Sequence, residues 1–164
     1  MKTLYLLRHA KSSWKFPELA DFDRPLNKRG QRDAPKMGKR LRKRNILPDL
    51  IISSPARRTK KTAQAVAQRT GYDPAAIRYD EAVYEASAQD LLTILQTVNN
   101  SVAVLLLTGH NPGLTALANQ FMSHYIDNVV TAGVVAVQFP TDNWAEVKAG
   151  SGQFLWYDYP KLEG

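Results

Sequence analysis

Two segments restrict the fold more than any others. Residues 3–7 (TLYLL) and 102–107 (VAVLLL) are almost unbroken in Leu, Tyr and Val. A strand with one wet face alternates apolar and polar residues, whereas a strand covered on both faces does not. Continuous runs of this kind belong to parallel sheets flanked by helices. Residues 50–53 and 134–139 read as further strands, and 77–79 as a short edge strand.

Helices fill the gaps. Asn27 is placed to cap one running from Lys28 to about Arg44, and Pro35 either kinks it or reopens it in a first turn. Ser54 and Pro55 open a second helix over about 56–69, with Gly71 as its stop. Ser87 caps a third that reaches about Val98, with Asp90 at the spacing of a capping box. Pro112 opens the last, and its Leu114, Leu117, Ala118 and Phe121 share one face. The alternation predicts an α/β fold, a three-layer α/β/α sandwich on a mostly parallel central sheet. In the tail, Gly150-Ser151-Gly152 divides two alternating segments of NWAEVKAGSGQFLWYDY, which predicts a C-terminal antiparallel hairpin. A single domain over 1–164 is expected.

No apolar run approaches the ~20 residues of a membrane span. MKTLYLL lacks the apolar segment and cleavage site of a signal peptide. The chain has no cysteine, which excludes disulfides and thiolate metal sites and suits a cytoplasmic location. The formal charge of +7 favours anionic partners. Much of the excess lies in 24–44, where ten Lys and Arg face one acid, Asp33. That stretch is either a solvated helix face or a docking patch.

Ligands of open α/β sheets sit beyond the carboxyl ends of the strands. The first strand exits into Arg8-His9, the second into SSPARR with Arg57 in a first helical turn, and the long strand into Thr108-Gly109-His110-Asn111. Taken singly, each residue has a duller explanation: Arg8 a surface charge, His9 a core-edge histidine, Arg57 one cation in a run with Arg58, Lys60 and Lys61, His110 a helix cap. Together they bring two guanidiniums, two imidazoles and two helix N-termini to one edge. Such a set suits a phosphoryl group, whose oxygens need cationic donors and whose phosphorus needs a nucleophile in line.

LYLLRHAKSSW, DFDRPLNKRGQRDAPKMG, PDLIISSPARRTKKTA, VYEAS and LLLTGHNPGL together resemble, in order and spacing, the phosphoglycerate mutase-like histidine phosphatase superfamily. The likeness is greatest to its small SixA-like branch, the phosphohistidine phosphatases. The resemblance implies that His9 is the nucleophile and passes through a phosphohistidine. It implies that Arg8 and Arg57 hold the phosphoryl oxygens and keep His9 neutral, while the other ring nitrogen of His9 donates to a backbone carbonyl. A protonated His110 would stabilise the transition state with the backbone N–H of Asn111 beside it. Glu85 is either the proton donor to the leaving group or a loop glutamate, and Ser12 is either a further donor or a turn residue. Neither a metal nor a cofactor is expected. Lys15 stands where mutase relatives carry an Asn, so that contact does not carry over. No long insertion offers a lid, which favours a phosphate borne by a protein side chain, with Lys11, Arg24 and Arg58 on the rim to steer an acidic partner. The expected partner is thus a phosphorylated protein or a small phosphorylated substrate, not nucleic acid and not a membrane. The competing readings are a general phosphomonoesterase acting on metabolites or phosphoserine, and a phosphate-binding module without turnover.

Overall fold

The computed structural model describes residues 1–162. Six strands form one mixed sheet: β1 (Lys2–Arg8), β2 (Leu50–Ser53), β3 (Arg78–Tyr79), β4 (Val104–Gly109), β5 (Val134–Phe139) and β6 (Gln153–Asp158), in the order β3-β2-β4-β1-β5-β6. The first four are mutually parallel, and β5 and β6 run antiparallel at one side. Helices α1 (Lys28–Lys43) and α2 (Arg57–Thr70) cover one face, and α3 (Ala88–Gln96) and α4 (Gly113–Phe121) cover the other.

The two covered faces account for the unbroken apolar runs. In β1, Leu4 and Leu6 pack towards α3 and α4, while Tyr5 and Leu7 pack towards α1 and α2. Leu105 and Leu107 against Leu106 repeat the division in β4. Period-two geometry sends neighbours to opposite faces, and both faces are dry here.

Caps set several boundaries. The Asn27 side chain accepts the Gly30 N–H, and α1 then continues through Pro35 to Lys43 without a break. Gly30 is needed because a Cβ there would meet the Lys11 carbonyl, which accepts the Asn27 N–H at 3.0 Å. This contact presses the start of α1 against the loop after β1. α3 carries the full reciprocal capping box of Ser87 and Asp90. Gly71 closes α2 at φ 81°, a left-handed turn that suits glycine.

Two boundaries differ from expectation. β4 begins at Val104 because the Asp49 carboxylate takes the N–H groups of Ala103 and Val104, fixing where the strand starts. The C-terminal antiparallel pair is β5 with β6, not residues 143–149 with β6. Residues Trp144–Glu146 form a 3-10 turn capped by Asn143. Its cause is Trp144, fully buried with its indole N–H donated to the Val102 carbonyl, which rolls the segment against the sheet instead of extending it. Among the described residues, no helix is long and apolar enough to cross a membrane.

Candidate active site

Register brings the three strand exits together. Leu7 lies opposite Thr108 and Arg8 opposite Gly109, while Ser53 pairs with Thr108 from the other side. Arg8-His9, Ser53-Ser54 and Gly109-His110 therefore leave the sheet side by side. They open into a cup of about 290 Å³ whose lining includes Arg8, His9, Ser12, Arg24, Arg58 and His110.

His9 is held from several sides. Its backbone N–H donates to the Gly109 carbonyl, and the Ala10 N–H donates to Thr62 Oγ1 on α2. Its Nδ1 lies 2.7 Å from the Ala10 carbonyl oxygen. A carbonyl only accepts, so the proton sits on Nδ1 and Nε2 keeps a lone pair. Burial pushes the His9 pKa down to about 3, partly opposed by the Ala10 bond and reinforced by His110, Arg58 and Arg8. The ring is neutral at ordinary pH, chiefly through burial and only secondarily through the cations to which the sequence reading assigned this effect.

His110 lies with its ring centroid 5.4 Å from that of His9. Arg58 Nη2 approaches its Nδ1 at 3.3 Å, and its Nε2 is 2.8 Å from Ser54 Oγ. A guanidinium only donates, so Nδ1 accepts and Nε2–H donates to the hydroxyl. Burial lowers the His110 pKa to about 4, with Arg58, Arg8 and Arg24 adding to the shift and Asp21 opposing it. These surroundings favour a neutral His110, in contrast to the protonated ring expected from sequence.

The second guanidinium of the cup is Arg58, not Arg57. Arg58 is buried on the inner face of α2 with Thr59, Thr62, Ala63 and Val66. Arg57 is exposed, its Nη1 is 3.5 Å from the Asp23 carbonyl, and it lines a separate groove with Lys61 and Pro35. One residue along a helix turns the side chain by about 100°, enough to carry it from one face to another. The helical period held the signal: 58, 62 and 66 share a face with the apolar residues, whereas 57 shares its face with Lys61.

Arg24, read from sequence as a rim cation, is also buried in the cup. Its Nη1 donates to Ser12 Oγ at 2.7 Å, and its guanidinium stacks 3.6 Å from the Trp14 ring. Ser12 is thus engaged by Arg24. Asn111 spends its side chain on the fold: its amide donates to Asn128 Oδ1 and the Val129 carbonyl, and its oxygen accepts from Thr115. Lys11 lines the cup, whereas Lys15 is exposed and outside its lining. Glu85 is exposed, sits at φ 58°, and lines a neighbouring cavity of about 560 Å³ with His110 and Asn111, not the cup. Asp21 and Tyr84, behind Arg58, were not singled out by the sequence reading, because only tertiary contact brings their loops to the site.

The donor balance defines what the cup can hold. Arg8 gives Nη1 to the Val129 carbonyl at 3.1 Å, but its Nε is buried without a partner. Burial pulls the Arg8 pKa down, Tyr157 opposes this and Arg58 adds to it. The Nε of Arg58 is likewise buried and unpartnered. Two guanidiniums lining one cup make it suited to an anion. No carboxylate lines the cup among the described residues.

The histidine phosphatase superfamily (branch 1) family model matches residues 4–111. The chain belongs to the histidine phosphatase superfamily and is a phosphatase- or mutase-like enzyme of that group. It is 34% identical to an uncharacterised chloroplastic protein of Arabidopsis thaliana, over 99% of this chain and 76% of that one. It is 32% identical to an uncharacterised protein of Mycobacterium tuberculosis, over 94% of this chain and all of the other. Among solved structures, a SixA protein of Agrobacterium tumefaciens, described as a phosphohistidine phosphatase, aligns with TM-score 0.81 and 28% identity over 97% of this chain and 98% of that one. A protein histidine phosphatase SixA complexed with tungstate shares the fold at TM-score 0.82 and 19% identity, over 96% and 97% of the two chains.

Proposed function

We propose that the protein is a phosphohistidine phosphatase that turns over through a phosphorylated His9 and draws no catalytic charge from a metal. The observation that carries this reading is an imidazole whose Nε2 lone pair is free, in a cup lined by the Arg8 and Arg58 guanidiniums and, among the described residues, by no carboxylate.

In the first step His9 Nε2 attacks phosphorus, the bond from phosphorus to the leaving group breaks, and the phosphoryl group rests on His9. Water then attacks the phosphorus, the P–Nε2 bond breaks, and phosphate leaves with the neutral ring restored. Arg8 and Arg58 offset charge on the equatorial oxygens. A phosphoryl dianion beside His110 reverses the field that keeps that ring neutral, so His110 takes a proton on Nδ1 as substrate binds, Arg58 Nη2 gives up that contact while it keeps Asp21, and Nε2–H turns from Ser54 Oγ to a phosphoryl oxygen.

The leaving group follows from the carboxylates. An alkyl alkoxide needs a proton in the transition state, and the cup lining has no carboxylic acid to give one. A phosphohistidine's imidazole is already protonated or takes a proton readily, so it departs without such a donor. The SixA proteins of similar fold support the same substrate class. A phosphomonoester reading draws on one observation, Glu85 in the cavity that shares His110 and Asn111. It requires Glu85→Gln to cut turnover of an alkyl phosphate while sparing phosphohistidine.

The test is incubation with a radiolabelled phosphodonor, quenched in alkali. We expect label that survives alkali, is lost in acid and is absent from His9→Ala. Label retained in His9→Ala contradicts the reading. Activity abolished by EDTA and restored by zinc or magnesium contradicts its metal independence.

A further inference from the structure

Asp21 makes more polar contacts around the cup than its place on an exposed 3-10 turn (Asp21–Asp23) would suggest. Its Oδ2 accepts from Arg58 Nη2 at 2.9 Å and from the Tyr84 hydroxyl at 2.7 Å. Its Oδ1 accepts from Arg24 Nε at 3.1 Å, and its backbone carbonyl accepts Arg58 Nη1 at 2.6 Å. Both terminal nitrogens of Arg58 are therefore tied to one residue. The Nη2 so held is the one that meets His110 Nδ1. Asp21 itself does not line the cup.

We propose that Asp21 is a positioning residue: it aligns Arg58 and Arg24 in the cup and supplies the counter-charge that lets His110 take up a proton when a phosphoryl group arrives. The inference rests on the assignment of His110 as a donor in the phosphoryl-transfer step.

The geometry supports both halves. A guanidinium gripped at Nη1 and Nη2 has one orientation, and here that orientation sets Arg58 in the cup lining beside His110. The groups acting on His110 come from several elements. Arg8 and His9 come from the end of β1 and Arg58 from α2, while Arg24 follows the 3-10 turn. Tyr84 meets the His110 ring edge-on at 5.4 Å, Ser54 meets its Nε2, and Glu85 lines the cavity on the far side. Of the two carboxylates, only Asp21 is hydrogen-bonded to cup cations. Burial alone would raise its pKa, but the bonds from Tyr84, Arg58 and Arg24 hold it at about 2, so it stays ionised across the working range. Burial first, and then the same pairing, drives the Tyr84 pKa up to about 12, so the phenol remains a donor. Without Asp21, three guanidiniums would face His110 with no bonded counter-ion, and its proton would be harder to keep.

The test uses Asp21→Asn and Asp21→Glu in the full chain, with the pH profile of kcat on a phosphohistidine peptide and the alkali-stable adduct as second readout. The descending limb of kcat on the alkaline side reports loss of the proton from the enzyme–substrate complex. In Asp21→Asn that limb moves about one pH unit towards acid, as expected for removing a charge near a buried imidazole. kcat at pH 7.5 falls more than KM changes, and Asp21→Glu restores the limb. A uniform loss across pH with the limb unmoved, or no loss at all, overturns the proposal while an adduct on wild-type His9 leaves the phosphohistidine mechanism standing. Absence of that adduct in wild type overturns both.

Discussion

The two ends of the parallel strands both bury charge, and they treat it differently. At the amino end, Lys2 is only 3% exposed, yet its ammonium donates to the carbonyls of Asn100 and Val102 at 2.6 and 2.9 Å. Beside it Asp49 accepts the N–H groups of Ala103 and Val104, and Trp144 donates to Val102. At the carboxyl end, Arg8 and Arg58 keep buried nitrogens without partners, and Thr108 Oγ1 is buried without one as well. A charge whose hydrogen bonds close within the fold contributes to stability. A charge left with donors to spare costs stability unless a ligand supplies the partner.

Several measurements sharpen that contrast. The largest effect falls at the carboxyl end: Arg58→Ala should lower kcat/KM by about 10²–10³-fold, the usual loss for a donor to developing charge. Arg57→Ala, one residue away on the outer face of α2, should stay within about twofold. Steady-state kinetics on the two variants decide it, and equal losses would break the distinction.

Next comes the acid sensitivity of the fold. The pKa values of His9, about 3, and His110, about 4, lie below the usual imidazole value of 6.5. Below pH 6.5 the unfolded chain binds protons on these rings that the folded protein does not, so stability is complete above 6.5 and falls as the pH drops towards the folded values. The slope is up to about 1.4 kcal/mol per pH unit for each ring. Urea unfolding at pH 7 and pH 5 should show this loss, and His9→Gln should remove up to about half of it. A variant as acid-sensitive as wild type would place the cause elsewhere.

The smallest effect belongs to the amino end. Lys2→Ala leaves the Asn100 carbonyl without its donor, while Val102 keeps Trp144, and should cost about 1–3 kcal/mol in urea unfolding, with kcat per folded molecule unchanged. A loss of activity at full stability would show that the two ends are not separable.

The same contrast explains what could be read from the sequence. β1 and β4 were legible because continuous apolar runs report burial on both faces. α1 and α3 were legible because Asn27 and Ser87 mark their starts chemically. The C-terminal segment before Gly150 was not, because alternation there came from Trp144 plugging the end of the sheet and not from a strand. Arg8, His9 and His110 were visible because strand exits are fixed by the strands themselves. Arg57 stood in for Arg58 because nearness to the strand exit was weighed before the helical period, which puts 58, and not 57, on the face of Thr62 and Val66. Asp21 and Tyr84 lie in loops without periodicity, and their convergence exists only after folding.

We infer that the guanidiniums of Arg8 and Arg58, with His110, form the seat of a phosphoryl group aimed at His9. A crystal structure with tungstate, a phosphoryl-like oxyanion, tests it most directly. The account predicts oxyanion oxygens within hydrogen-bond distance of the Arg8 and Arg58 guanidiniums and of His110, with the tungsten facing His9 Nε2 and Arg57 uninvolved. Tungstate seated instead between Arg57 and Lys61, with the cup's guanidiniums untouched, would contradict it.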